Sequence, residues 1–333
     1  MRNLLPITSL RLWPPKVILF LIAILLFIIH FHDTHAQSQS PTGSVADAQH
    51  PLPTLILIHG RGQSVDMKDA IEAEWRTGIT SGLANVGRSH LIPESSTRFV
   101  WYADLLQPGA RGCPFIDAGS EKSYEAAGIS KLPSLRNFFA KIAEGLNNAQ
   151  QRAALDALMK DVETYLGNGS AACAVDGRIR DAFGDGASAQ HLSSDVPVVI
   201  VAHSLGSMII YKNLMNRLAD TKRPVYLVTI GSMLGARVVQ QTLLGSHAAY
   251  PANVPLPVKA WWNVVNTEDP IGFPAERAFA SGVSSKRPHD YVLDLGGHGV
   301  DGHLATRYLG SEAVGRAIAE AWCAASPKEP GCT

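Results

Sequence analysis

The stretch AHSLG, Ala202 to Gly206, sets one serine between small residues. Before it runs the apolar VVIV of Val198–Val201; after it, from Met208 to Leu218, apolar residues recur with helical spacing. A strand and a helix that nearly touch need small side chains at the turn between them. Such a turn presents Ser204 Oγ beyond the strand end and lets the Leu205 N–H, at the helix start, face a developing oxyanion. A hydroxyl is a weak nucleophile until a base takes its proton, and the base needs an acid to hold its tautomer. The chain offers both further on. WWNVVNTEDPIGFP ends an apolar run with Asp269 before Pro270, with Glu268 as the rival acid; Asp290 and Asp294 would need an odd geometry. LGGHGVDGHLATRYLG carries His303, followed by an apolar run, and His298 in the glycine-rich tip. The base is expected at His303, with His298 as the alternative. LILIHGRGQS ends another apolar run in His-Gly, and its Arg61 N–H is the expected second oxyanion donor, with Gly62 and Gln63 as alternates. His59 reads as a structural loop residue.

These residues need a scaffold, and the pattern between them supplies one. TLILIHG is a continuous apolar run closed by a glycine turn, as a strand buried on both faces should look. Met67, Ile71, Trp75, Ile79 and Leu83 then recur every four residues, which predicts an amphipathic helix. RFVWYADLL, PVVIVAHS, PVYLVTIGS, VKAWWNVVN and DYVLDLG are further short β-rich runs, and Glu312–Trp322 is a late helix. Strands alternating with helices predict an α/β fold with a mostly parallel sheet covered by helices on both faces. The region 106–194 breaks that alternation. Leu135, Phe138, Phe139, Ile142 and Leu146 have helical spacing, as do Leu155, Leu158, Met159, Val162 and Leu166. This predicts a largely helical insertion, either a cap over the site or a packing elaboration.

The ends read differently. Arg2, Arg11 and Lys16 precede 13 uncharged apolar residues, Val17 to Ile29. As a helix that run reaches roughly 20 Å, short of the roughly 30 Å bilayer core. Thr34 and Ala36 follow as the small residues of a cleavage site, so residues 1–36 are expected to be a signal peptide. The protein is then exported, periplasmic or secreted, and an uncleaved segment would contact the membrane. Residues 37–52, rich in Ser, Gln, Pro and Asp, read as a linker, 53–325 as the catalytic domain and 326–333 as a tail. Four cysteines suit an oxidising compartment, with Cys113–Cys173 and Cys323–Cys332 the expected pairs. A formal charge of zero over 333 residues disfavours a nucleic-acid partner. No C-x-x-C or H-E-x-x-H occurs, so no metal is expected.

HGRGQS…W…GL (His59 to Leu83), YADLL, PVVIVAHSLGS, VTIGS and WWNVVNTEDPI together carry a resemblance. Over roughly residues 53 to 323 the chain resembles the α/β-hydrolase superfamily, in particular its lipase/esterase-like serine hydrolases. Among these it looks like a group of bacterial hydrolases akin to lipases of the phosphatidylinositol-glycan deacylase type. The order Ser204, Asp269, His303 along the chain is the one expected of that superfamily. The resemblance implies an α/β-hydrolase fold, a Ser–Asp–His triad at those positions, an oxyanion hole from the Arg61 and Leu205 amides, and no cofactor. Two departures stand out: Ala202 replaces the commoner glycine, and His303 and Tyr308 are further apart than the usual short His-x-x-Tyr. The expected activity is cleavage of a small-molecule or lipid carboxylic ester through an acyl-enzyme. Acyl transfer on the same triad and a non-catalytic binding protein are the rival readings.

Overall fold

The computed structural model describes residues 51–60, 65–107, 132–184, 195–245, 248–281 and 287–332. The expected signal peptide and almost all of the expected linker lie outside these residues, as do Arg61, Gly62, Gln63 and Cys113. Six strands form one wholly parallel sheet: β1 (Thr54–Ile58), β2 (Thr97–Val100), β3 (Val198–His203), β4 (Val225–Ile230), β5 (Val258–Asn266) and β6 (His289–Leu293). Their order across the sheet is β2-β1-β3-β4-β5-β6. Around it lie α1 (Lys68–Asn85), α2 (Leu132–Glu144), α3 (Ala149–Gly167), α4 (Gly169–Phe183), α5 (Leu205–Met215), α6 (Arg237–Leu244), α7 (Ala305–Leu309) and α8 (Glu312–Ala325).

The unbroken apolar runs have their cause in this architecture. Every residue of β1 and of β3 is buried, because an inner parallel strand has no solvent face. Successive side chains serve opposite layers. Leu55, Leu57, Val199 and Val201 pack with Trp75 and Ile79 of α1 and with Ile318 and Trp322 of α8. Ile56, Ile58, Val198 and Ile200 pack on the other side with α5 and the helices between β2 and β3. The register pairs Ile58 with Ala202 and His203 with Ile230, so β1, β3 and β4 end together along one rim.

Helices α1 and α8 meet backbone to backbone. A Cβ on Gly315 would lie 1.9 Å from Gly82 O, so the two helices can approach this closely only with glycine there. Gly315→Ala is therefore expected to cost about 2 kcal/mol by forcing α8 off α1. A lower urea midpoint with an unchanged m-value is the measurement that checks it.

Between β2 and β3 the described residues 132–184 are largely helical, as the periodicity predicts, and they are tied down by polar contacts. Asn148 and Asn168 accept hydrogen bonds from the amides of Gln151 and Ala171, capping α3 and α4. The buried Asp176 of α4 accepts from Tyr165 Oη at 2.9 Å and from Asn213 Nδ2 of α5 at 2.8 Å. Arg178 makes two 2.6 Å bonds to the carboxylate of Asp104. The segment RFVWYADLL is strand only as far as Val100 and ends as a single 3-10 turn, Ala103–Leu106. The Tyr102 N–H leaves the ladder because it donates to His59 Nε2 at 3.3 Å.

Cys323 and Cys332 are bonded, with their Cα atoms 5.2 Å apart. Cys173 is also disulfide-bonded, and its expected partner Cys113 lies outside the described residues. No helix among the described residues is long and apolar enough to cross a membrane.

Candidate active site

Ser204 is the single residue between β3 and α5. It is the only non-glycine with positive φ among the described residues, at φ 51° and ψ −122°. A side chain costs about 1–3 kcal/mol to hold in such a region, so neighbouring contacts must fix it. The Ser204 N–H donates to Ile230 O at 3.2 Å, and Ser204 O accepts from Ser207 Oγ at 2.5 Å. Ser207 Oγ accepts in turn from Ser232 Oγ at 2.8 Å. At Gly206 a Cβ would fall 2.3 Å from His59 O and 2.6 Å from Ile58 O. That contact, between the start of α5 and the end of β1, is why the turn needs glycine there. Ala202 meets no such obstacle and is wholly buried in β3.

The three distant residues meet. His303 Nε2 lies 2.7 Å from Ser204 Oγ, and His303 Nδ1 lies 2.8 Å from Asp269 Oδ2. A carboxylate can only accept, so Nδ1 carries the proton and the Nε2 lone pair receives the serine O–H. This is the tautomer that can take a proton from the hydroxyl. All three are buried: Ser204 fully, Asp269 at 4% and His303 at 6% exposure. Burial alone would raise the Asp269 carboxyl, but His303, Tyr308 and the Ile271 amide together hold it below the usual carboxylate value.

The rivals from the sequence go elsewhere. Glu268 and His298 pair with each other at 2.5 Å on the surface, and Asp290 accepts from Asn263 and the amides of Ala275 and Glu276. Asp294 accepts from the Gly296 amide.

Leu205 opens α5, so its N–H has no partner inside the helix and sits beside Ser204. Arg61 lies outside the described residues, but the chain leading to it is held firmly. His59 Nδ1–H donates to Gly60 O at 3.1 Å while its Nε2 accepts from the Tyr102 amide, so both contacts suit one tautomer. The Tyr102 hydroxyl donates to His59 O at 2.8 Å and also to Gly60 O, and the two rings stack 4.1 Å apart. His59 thus ties the end of β1 to Tyr102, and it also lines the cavity over Ser204.

The sequence reading gave no role to three contributors. Tyr102 is one. His203 is the second: its Nε2–H donates to His303 O at 2.8 Å, and its ring lies 4.8 Å from that of His303. Burial first, then the neighbouring His303, pushes the His203 imidazole down to about 3, so it stays neutral beside the base. Its place at the end of an apolar strand disguised it. Tyr308, whose hydroxyl donates to Asp269 Oδ2 at 2.6 Å, is the third.

A cavity of about 150 Å³ opens over Ser204 and His303. Ile71 and Trp75 of α1, Ala154 and Leu158 of α3, and Val300 and Leu304 give it an apolar lining, with the exposed Glu74 at its side. Gln151 of α3 also donates to His298 O at 2.8 Å. Helix α3 thus lines the site and touches the loop that carries His303. Among the described residues no His, Cys, Asp and Glu side chains cluster as a metal-binding set. Chemically, the arrangement pairs an activated hydroxyl with a base, a buried acid and an apolar chamber. Searches for similar proteins found no family model and no curated protein that matches the chain.

Proposed function

We propose that this protein is a serine ester hydrolase with an α/β-hydrolase fold, and that it cleaves carboxylic esters through an acyl-enzyme. The observation that carries this reading is the buried chain from Ser204 Oγ through His303 to Asp269, at 2.7 and 2.8 Å, on a strained turn below an apolar cavity. The position of that turn, between the third strand and its helix in a parallel sheet, supports the fold assignment.

In the proposed cycle His303 Nε2 takes the Ser204 proton as Oγ attacks the ester carbonyl. The Leu205 amide and the Arg61 amide hold the oxyanion. One such donor is worth about 3 kcal/mol of transition-state stabilisation. Imidazolium, stabilised by Asp269, then protonates the leaving alcohol. Water activated by the same base attacks the acyl-enzyme, and the acid departs. The apolar lining supports an apolar acyl group, from a small-molecule or lipid ester. Export is part of the proposal, and the Cys323–Cys332 disulfide is compatible with it.

A fluorophosphonate probe tests the reading, because it reacts with a serine only where a base has activated it. Peptide mapping of the labelled protein is expected to find one adduct, on Ser204, and the protein is expected to hydrolyse p-nitrophenyl esters. A folded protein that takes up no probe, or takes it up on another serine, would overturn the proposal.

A further inference from the structure

We infer that Tyr308 is a positioning residue that tempers how strongly Asp269 holds the His303 imidazolium. It does so by sharing the carboxylate oxygen that His303 uses. This rests on the proposed hydrolase reading and extends it to a fourth residue.

The geometry is specific. Asp269 Oδ2 accepts two hydrogen bonds, from His303 Nδ1 at 2.8 Å and from Tyr308 Oη at 2.6 Å, while Oδ1 accepts, among the described residues, only the Ile271 amide, at 2.8 Å. The phenol therefore competes directly with the imidazole for one lone-pair region. Tyr308 Oη itself accepts from the Asn266 amide at 3.2 Å, and a hydroxyl that accepts also donates more strongly. Burial, and then the charge of Asp269, raises the Tyr308 phenol well above its usual value, so it remains a donor throughout the working range.

The packing leaves this pair little alternative. Tyr308 is wholly buried, and glycines close the space around it. A Cβ on Gly272 would lie 2.9 Å from Asp269 Oδ2 and 3.2 Å from Tyr308 Oη. One on Gly231, at φ 54°, would lie 3.1 Å from the same carboxylate oxygen. Backbone, not solvent, borders the carboxylate. The sequence delivers both donors from one short segment, since His303 ends a turn at Gly299–His303 and Tyr308 lies in α7, which follows it.

A carboxylate whose charge is shared with a phenol stabilises an imidazolium less than an unshared one does. Without the Tyr308 hydroxyl, Asp269 would therefore hold the His303 imidazolium more tightly. Among the described residues, the other charged or titratable groups near His303 are His203 from β3, Glu74 of α1 across the cavity, the Glu268–His298 pair, and Asp301 on the same turn, and Tyr308→Phe alters the chemistry of none of them.

The test compares wild type with Tyr308→Phe. The acid limb of kcat/KM on a p-nitrophenyl ester is expected to move up by about one pH unit. Replacing Tyr308 by 3-fluorotyrosine, a stronger donor of nearly the same size, is expected to move the limb down. A residue needed only for packing would move neither. The same titration is read without turnover by following the His303 ring protons by NMR in the Ser204→Ala background, where the Tyr308→Phe change is again expected to raise the midpoint. An unmoved midpoint, or shifts of the same sign for Phe and 3-fluorotyrosine, overturns the assignment; if Tyr308→Phe does not fold, an unmoved midpoint with 3-fluorotyrosine does so alone. A Ser204→Ala variant that still hydrolyses the ester overturns the hydrolase reading instead, and leaves the NMR result to decide the role of Tyr308.

Discussion

Ser204→Ala and His303→Gln are each expected to lower kcat on p-nitrophenyl esters by about 10⁵-fold or more, and the double variant by no more than either single change. The non-additivity follows from the geometry. Ser204 Oγ is useful only because His303 Nε2 lies 2.7 Å away to take its proton, and every later proton transfer by that imidazole in the proposed cycle acts on a group carried by Ser204. Once either member is gone, the other has nothing left to contribute. His298→Gln serves as the control, with an activity within about twofold of wild type expected for a surface change of this kind. Its side chain is 89% exposed and bonded to Glu268. Single-turnover kinetics of the four variants beside wild type would decide it. Losses that multiply in the double variant, or a His298→Gln defect as large as that of His303→Gln, would remove the case for a Ser204–His303 unit.

The assignment of His303 and not His298 is where sequence and structure contributed unequally. The strand–serine–helix turn was legible because it is local: an apolar run, small residues, and a new periodicity all lie within about a dozen positions. Even there the helix starts at Leu205, three residues before its apolar pattern becomes visible. Gly206 and Ser207 serve contacts instead of periodicity, the first against His59 O and the second on Ser204 O. The acid and the base were legible only as short lists. Glu268 is adjacent to Asp269 and His298 is five residues from His303, so composition cannot separate them. What separates them is burial: one acid–histidine pair lies inside the rim of the sheet and the other in solvent.

Some of the fold was hidden for a related reason. Helix α4, Gly169–Phe183, carries Ala, Cys and Gly where a surface helix would carry large apolar residues at intervals. Ten of its 15 residues are buried, so it packs nearly all round and shows no single apolar face. Tyr308 was visible in the sequence only as a spacing that departs from a familiar pattern. Five residues from His303, with a turn and the start of α7 between them, the spacing brings its hydroxyl to the oxygen that His303 uses. His203 had no distinguishing mark at all. Its role depends on a carbonyl 100 positions away in the chain, and no local pattern reports a partner at that distance.

Asp269→Asn is expected to lower kcat by about 10⁴-fold while preserving side-chain volume, a loss of the size found when a triad acid becomes an amide elsewhere. The carboxylate accepts three hydrogen bonds, from His303, Tyr308 and the Ile271 amide, and donates none. An amide can accept at one end only. If its NH₂ faces Ile271, two donors oppose each other at the backbone; if it faces His303, the imidazole is driven to the tautomer whose Nε2–H can no longer take the serine proton. A buried donor left unpaired costs about 1–3 kcal/mol, so stability should fall as well. The pH dependence gives a second check. The native carboxyl is held below its ordinary value, so its contribution to stability is present above the ordinary carboxylate range and is lost as pH falls through the lowered one. The gap in unfolding free energy between wild type and Asp269→Asn should therefore be full at neutral pH and narrow only in strong acid. Glu268 is not placed to take over, because its carboxylate is already bonded to the exposed His298. A variant that kept a tenth of wild-type turnover would show that the imidazole is oriented by something other than this carboxylate, and His203, which holds the His303 carbonyl from below, would be the first place to look.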